Sequence, residues 1–210
     1  MTTPSKPHAY LFGGDKPWLA ESWVASDDRV RGGKSQSYLD YKPGSKGTVR
    51  FHGELDITAL GGAGFASQRS PDSQPWDLSD FEGLHLAIGD GDGKKYTLIV
   101  KDEILPKRPD GREQSTVSWE YDFIGKETQL DIPWHDLKPT YRGKPEPDAK
   151  PLDLANIRRV SIMMRSFFGE QEGAFDLELE NIAAAVFQEQ PNSAIPAEVG
   201  SSNLNNSLVS

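Results

Sequence analysis

The chain contains no cysteine. That removes disulfide frameworks, thiolate metal sites and cysteine nucleophiles together, and it leaves the redox compartment open. Long apolar runs are missing as well. No stretch approaches the ~20 residues that cross a bilayer as a helix, so no membrane span is expected. Basic runs stop at pairs, Lys94-Lys95 and Arg158-Arg159, within a chain of 32 acidic and 23 basic residues and a formal net charge of -9. Phosphate neutralisation needs a basic patch, so nucleic acid is excluded as an expected partner. The segment Met1 to Gly14 has one lysine, no arginine and no apolar core. It fits neither a secretory signal nor an arginine-rich, amphipathic presequence, and a cytoplasmic location is the expectation. A G-x-S-x-G elbow, a phosphate loop and a dinucleotide fingerprint are all absent. Helical periodicity is scarce: Pro133–Leu137 and Leu152–Asn156 each suit a single turn.

What is present is aromatic bulk, turn residues and a period of two. Five Trp, nine Phe and six Tyr supply large apolar payloads for a core, and 210 residues suit one all-β domain. Glycine and proline are plentiful between short alternating runs. Gly83–Ile88 alternates, stops at Gly89-Asp90-Gly91-Asp92-Gly93, and resumes as Tyr96–Lys101, which reads as a hairpin. Further strands are expected at Ser35–Tyr41, Thr48–Leu55, Gly64–Arg69, Ser115–Phe123, Thr128–Ile132, Ile157–Met164 and Ala174–Phe187, the last broken near Asn181. Lys138–Pro151 holds four prolines and reads as a surface loop. The pattern predicts an all-β fold, an antiparallel β-sandwich of about nine strands. Residues 1–17 form an N-terminal arm in this reading, 18–187 the sandwich domain, and 188–210, rich in Gln, Asn, Ser and Pro, a disordered C-terminal tail.

Candidate chemistry lies at strand ends and turns. Asp27, Arg29 and Arg31 surround a Gly-Gly turn and make either a polar rim beside a ligand cleft or a charge-paired turn that fixes the first strand. Arg69 ends a run of small residues and meets either a ligand carboxylate or carbonyl, or an internal acid. Lys101, Asp102 and Arg165 sit at strand ends. Trp119 and Tyr121 alternate with Val117 and Phe123; they either join the core or line a sheet face that stacks on a flat ligand. Glu120 and Asp122 share the opposite face, expected to be the solvent side. Asp90 and Asp92 offer oxygens to calcium, but Asp-Gly is also the plainest turn signal. The four histidines lack ligand spacing, so no metal and no cofactor are expected.

Several motifs, taken in order, resemble one family. They are Ser26–Ser37 with its Asp-Asp and Gly-Gly, Gly61-Gly62-Ala63-Gly64-Phe65-Ala66-Ser67-Gln68-Arg69, Trp76–Leu84, the Gly89-Asp90-Gly91 turn before the Tyr96 strand, Leu130-Asp131-Ile132-Pro133-Trp134, and Gly173–Ile182. Over residues 18–187 the chain resembles the complex I intermediate-associated protein 30 (CIA30) family. The resemblance implies a jelly-roll of the galactose-binding-domain-like kind. It also implies a non-catalytic binding or assembly-factor role with a protein partner, and the mitochondrion as the alternative compartment. Two other functions suit the same scaffold. One is a cofactor-free isomerase or cyclase that shapes a polycyclic small molecule in an aromatic cleft. The other is a carbohydrate-binding module. A deep apolar pocket holding Trp119, Arg69 or Lys101 would favour the isomerase or cyclase.

Removing Gln188–Ser210 is expected to leave the melting temperature unchanged, because so few apolar side chains are available there to dock. A clear drop on truncation, measured by differential scanning calorimetry, would show that the tail packs on the domain.

Overall fold

The computed structural model describes residues 8–45, 47–72 and 75–187; the expected tail lies outside them. Thirteen strands build two antiparallel sheets: β1 His8–Gly13, β2 Val24–Ala25, β3 Gln36–Tyr41, β4 Val49–Leu55, β5 Phe65–Arg69, β6 Gly83–Gly91, β7 Lys95–Lys101, β8 Ser118–Ile124, β9 Gln129–Pro133, β10 Lys138–Tyr141, β11 Lys144–Pro145, β12 Arg159–Arg165 and β13 Gly173–Ala185. The six-stranded sheet runs β3-β4-β13-β6-β9, with β1 also paired to β13; the seven-stranded sheet runs β11-β10-β8-β7-β12-β5-β2. Helix is confined, among the described residues, to short 3-10 turns. The two expected turns form at Trp134–Asp136 and Leu154–Asn156, and two more at Ala20–Ser22 and Asp28–Arg31. No helix among the described residues is long and apolar enough to cross a membrane.

The β-sandwich expected from period-two patterning is therefore the fold, but about nine strands was an undercount. The four additional strands are β1, β2, β10 and β11. His8–Gly13, assigned by pattern to an N-terminal arm, pairs with the second half of β13. Two-residue strands such as β2 and β11 carry no readable alternation. The proline-rich stretch after residue 137 is partly strand: Pro145 lies on the edge strand β11, where a missing N–H is tolerated, and Pro139 on β10 beside it. Arg142 and Gly143 both take positive φ, 53° and 76°, the two-residue turn geometry that closes a tight hairpin between β10 and β11.

A second correction concerns β6 and β7. They are not a hairpin: β6 pairs with β13 and β9, whereas β7 pairs with β8 and β12. The glycine-aspartate turn is a crossover between layers. The Asp92 carboxylate accepts from the Asp176 backbone N–H and from the Tyr96 hydroxyl, which fixes the crossover against both sheets. At Gly91 a Cβ would lie 1.9 Å from the Gly125 carbonyl oxygen, so the chain passes only as glycine. The break expected near Asn181 is real in another form. β13 stays continuous, but its register against β6 shifts between Leu177 and Asn181. Its other edge changes partner there, from β4, which ends at Leu179, to β1, which begins at Asn181.

Phe51, Tyr96, Phe123 and Phe175 pack ring against ring between the layers, with Leu84, Leu86, Leu98, Ile132, Ile162 and Leu177 fully buried around them. At one end Trp18 is buried under Phe12 and Trp23, its indole N–H donating to the Glu180 carbonyl.

The layers are tied along one edge by two adjacent carboxylates. Asp27 accepts from the Ser37 N–H and hydroxyl on β3 and from the Ser67 N–H on β5. Asp28 accepts from the Ser35 N–H and hydroxyl just before β3 and from the Phe65 N–H on β5. Both acids are buried. At Gly33 a Cβ would lie 2.1 Å from the Asp28 Oδ1, so glycine there keeps the carboxylate in place.

Asp28→Ala removes the acceptor of three donors, the buried Ser35 N–H and hydroxyl and the half-buried Phe65 N–H, and stability is expected to fall by about 3 kcal/mol. Arg29→Ala, on the exposed side of the same turn, should cost within about 0.5 kcal/mol. Urea denaturation of the two variants checks the contrast; equal effects would remove the tie.

Candidate functional site

The outer face of the seven-stranded sheet is the most organised polar surface among the described residues. Register places Arg159 and Lys101 side by side, then Ser161 between Arg69 and Ile99, with Glu120 beyond Ile99. Met163, Thr97 and Asp122 follow, and Arg165 lies opposite Phe65. These residues alternate with Val100, Leu98, Val160 and Ile162, which enter the core, so they share the outward side.

Two ion clusters occupy that face. In the first, Arg159 donates to Asp72 and, at 2.9 Å, to Glu113, while Arg69 donates to Glu113 at 2.7 Å. Arg159 is only 5% exposed. In the second, Arg165 reaches Glu120 at 2.7 Å and Asp122 at 2.8 Å. Thr140 donates to Glu120 and Thr97 to Asp122, each at 2.7 Å. The Arg165 guanidinium also lies over the Phe167 ring, a cation–π contact. Residues 102–117, between β7 and β8, fold back over the first cluster through Glu113 and Thr116.

Lys101 sits at that fold-back. Its ammonium donates to the Thr116 hydroxyl at 2.9 Å and the Thr116 carbonyl at 3.2 Å, neither of which is charged. Burial first, and then the nearby Arg159 guanidinium, pull its pKa from 10.5 down to about 8, against the opposing carboxylates Glu113, Glu120 and Asp102. The unfolded lysine keeps its proton up to its ordinary value. Between about 8 and 10.5 the unfolded chain therefore binds more protons, and this group makes the fold more stable as pH rises through that window.

The residues singled out from sequence separate into four places. Arg69, Lys101 and Arg165 come together on this face. Trp119 and Tyr121 do not: both pack against the core, Trp119 in register with Val100 and Pro139. Burial pushes the Tyr121 phenol up. Asp102 holds the neighbouring 3-10 turn, accepting from the Asp153 N–H and, through its carbonyl, from the Asn156 side chain. Asp27 is the inter-sheet tie, hydrogen-bonded to N–H and O–H donors rather than paired to Arg29 or Arg31. It and Arg29 border a hollow of about 320 Å³ with Trp23, Gln36, Tyr38 and Gln68. Arg31 lies over the Phe65 ring.

Sequence reading missed Asp72, Glu113, Thr116 and Arg159; it set Glu120 on the outward face, where it lies, but not as a covered residue. The solvent side was the expectation for Glu120, yet it is 7% exposed, because Arg165 and Thr140 close over it. The available signal was an acid pair at alternate positions of one strand, Glu120 and Asp122, and an arginine, Arg165, at the end of another, which has meaning only once β8, β7 and β12 are known to be neighbours. No group of three or more His, Asp or Glu among the described residues is arranged to hold a metal ion.

With this geometry in view, comparison with known proteins gives three findings. The family model for complex I intermediate-associated protein 30 (CIA30) matches residues 12–179. An uncharacterized protein of Schizosaccharomyces pombe is 44% identical over 181 residues, covering 83% of this chain and 82% of that one. Among solved structures, the family 11 carbohydrate-binding module of the cellulosomal cellulase Lic26A-Cel5E of Clostridium thermocellum superposes with a TM-score of 0.57 at 13% identity, covering 88% of this chain and 98% of that one. The Clostridium thermocellum family 11 module in complex with a β-1,3-1,4-mixed-linked tetrasaccharide gives 0.56 at 14%, covering 87% and 98%. At such identities the likeness shows the fold alone.

In a lysine-selective NMR titration, Lys101 is expected to deprotonate with a midpoint near pH 8, well below the ~10.4 of a lysine in a model peptide. Thr116→Val, which takes a hydroxyl acceptor from the ammonium, should lower the midpoint further. A midpoint in the ordinary range would mean that water reaches the site.

Proposed function

The chain belongs to the complex I intermediate-associated protein 30 family, and on that premise we propose that it is a non-catalytic, protein-binding module of the assembly-factor kind, with the outer face of the seven-stranded sheet as its recognition surface. The observation that carries the reading is the ion-paired character of that face. Arg69, Arg159 and Arg165 are held by Asp72, Glu113, Glu120 and Asp122 in fixed geometry. Arginines pre-oriented by carboxylates are suited to polar and carboxylate groups of a polypeptide, and arginine is enriched at the energetic centres of protein interfaces.

The alternatives draw less support. A saccharide bound on a sheet face stacks on aromatic rings, and the outward positions of β5, β12, β7 and β8 carry one ring, Phe65 near one end, beside aliphatic Ile99 and Met163 and charged or small polar side chains. The carbohydrate-binding modules that share the fold supply an analogy for a binding role, not a ligand for this face. Nothing in the described geometry favours an isomerase or cyclase of polycyclic substrates: Trp119 and Tyr121, the rings such a cleft would use, pack on the core. The family's name makes complex I intermediates the first partners to test and the mitochondrion the compartment to examine beside the cytoplasm.

The test uses the double variant Arg165→Met/Glu120→Met. It removes the Arg165–Glu120 pair as a unit, a replacement that buried ion pairs tolerate, and leaves Asp122 with the Thr97 hydroxyl and solvent, its side chain being 34% exposed. Tagged full-length protein is cross-linked in cells and its partners identified, with complex I intermediates followed on native gels. A partner carried by the wild type and lost about tenfold by the double variant at equal melting temperature is the expected result. Undiminished capture by the variant would move the interface off this face.

A further inference from the structure

The opposite layer carries a different kind of site. On the outer face of the six-stranded sheet, β13 and β6 place Ala183 and Ala87 side by side with larger residues: His85 faces Ala183 and Asp131, Tyr10 faces Ala183, and Asn181 and Gln129 flank Ala87. Their sequence neighbours Leu84, Leu86, Ile182 and Ile132 point into the core. Alanine at the middle and long polar or aromatic side chains at the sides leave a hollow of about 480 Å³, bordered by His8, Tyr10, His85, Gln129, Glu180 and Asn181 among others. That is the size range of small-ligand sites, ~300–1,000 Å³.

Its chemistry is specific. The Asp131 carboxylate lies 2.7 Å from the His85 Nδ1. An ionised carboxylate only accepts, so His85 donates from Nδ1 and, as a neutral imidazole, keeps Nε2 as an acceptor. The His8 ring stacks on the His85 ring at 4.8 Å between centroids. The Asn181 side-chain oxygen is buried and has no hydrogen-bond partner, a state that native proteins rarely tolerate without a further ligand or water. Asn181 sits where the register of β13 against β6 shifts and borders the hollow.

We propose that this hollow is a second binding site, for a saccharide of one or two rings. The His85 Nε2 and the Glu180 carboxylate are acceptors for hydroxyl donors, the Gln129 amide supplies donors in return, and Tyr10 with the His8–His85 stack offers ring faces. An anion is disfavoured by Asp131 and Glu180. A lone ammonium would leave most of the spread acceptors unused. The site is independent of the protein-binding reading, since it lies on the other sheet and shares no residue with the ion clusters.

The experiment is an NMR titration of the full chain with methyl glycosides of glucose, galactose and mannose, using n-butylamine and inorganic phosphate as counter-probes. At least one glycoside is expected to shift the His85 ring and Asn181 side-chain amide signals saturably, with a millimolar dissociation constant. Ala87→Leu fills the floor and should weaken binding about tenfold or more; Gln129→Ala, on an exposed strand position that folding does not depend on, should weaken it about threefold. Three results would overturn the proposal: no saturable shift with any glycoside, shifts from butylamine or phosphate alone, or glycoside binding untouched by both substitutions at unchanged melting temperature.

Discussion

Asp27 and Asp28 hold one edge of the sandwich closed. Each carboxylate takes two donors from the β3 side and one from β5, so each bridges the two layers. A buried carboxylate without such donors would be strongly unfavourable; three donors apiece offset that and make the bonds charge-assisted. The arrangement depends on adjacent acids meeting donors at alternate positions, Ser35 and Ser37 on one strand, Phe65 and Ser67 on the other. It sets where β5 lies against β3, and β5 carries Arg69 to the outer face.

The outer face of the seven-stranded sheet follows from that placement. Charged residues on a sheet usually reach into water, yet Arg159 and Glu120 are almost fully covered. Their desolvation is compensated within the surface by reciprocal pairs and by the fold-back of residues 102–117. Lys101 is the exception. Burial, and the Arg159 charge beside it, make its proton less tightly held than that of an exposed lysine, and its contacts are hydroxyl and carbonyl acceptors, with no carboxylate to offset them. Buried pairs of this kind add little net stability; they fix side-chain geometry on a surface that faces outward.

The two outer faces differ because of what the central strands carry. β12 presents Arg159, Ser161, Met163 and Arg165 outward, and long side chains build the surface up. β13 presents Asn181 and Ala183, and small side chains leave it hollow. Both strands are buried on their inner side by similar aliphatic residues, so the core does not distinguish them.

Much of this was legible from the chain alone. Period-two patterning, glycine and proline between short runs, and aromatic bulk without cysteine fix an antiparallel sandwich, because burial of one sheet face leaves a mark on every second residue. The Asp-Asp and Gly-Gly segment was recognisable as a turn that anchors the first strand, and Arg69, Lys101 and Arg165 were recognisable as strand-end groups. Partnership was not legible. Local pattern cannot say that β6 and β7 part into different sheets, that Glu120 is covered by Arg165, or that Asn181 and His85 border one hollow. Each of those depends on residues far apart in sequence, many of them brought side by side by strand order and register. That pairing is chosen by the packing of the whole core; alternation within a strand determines only that its two faces differ.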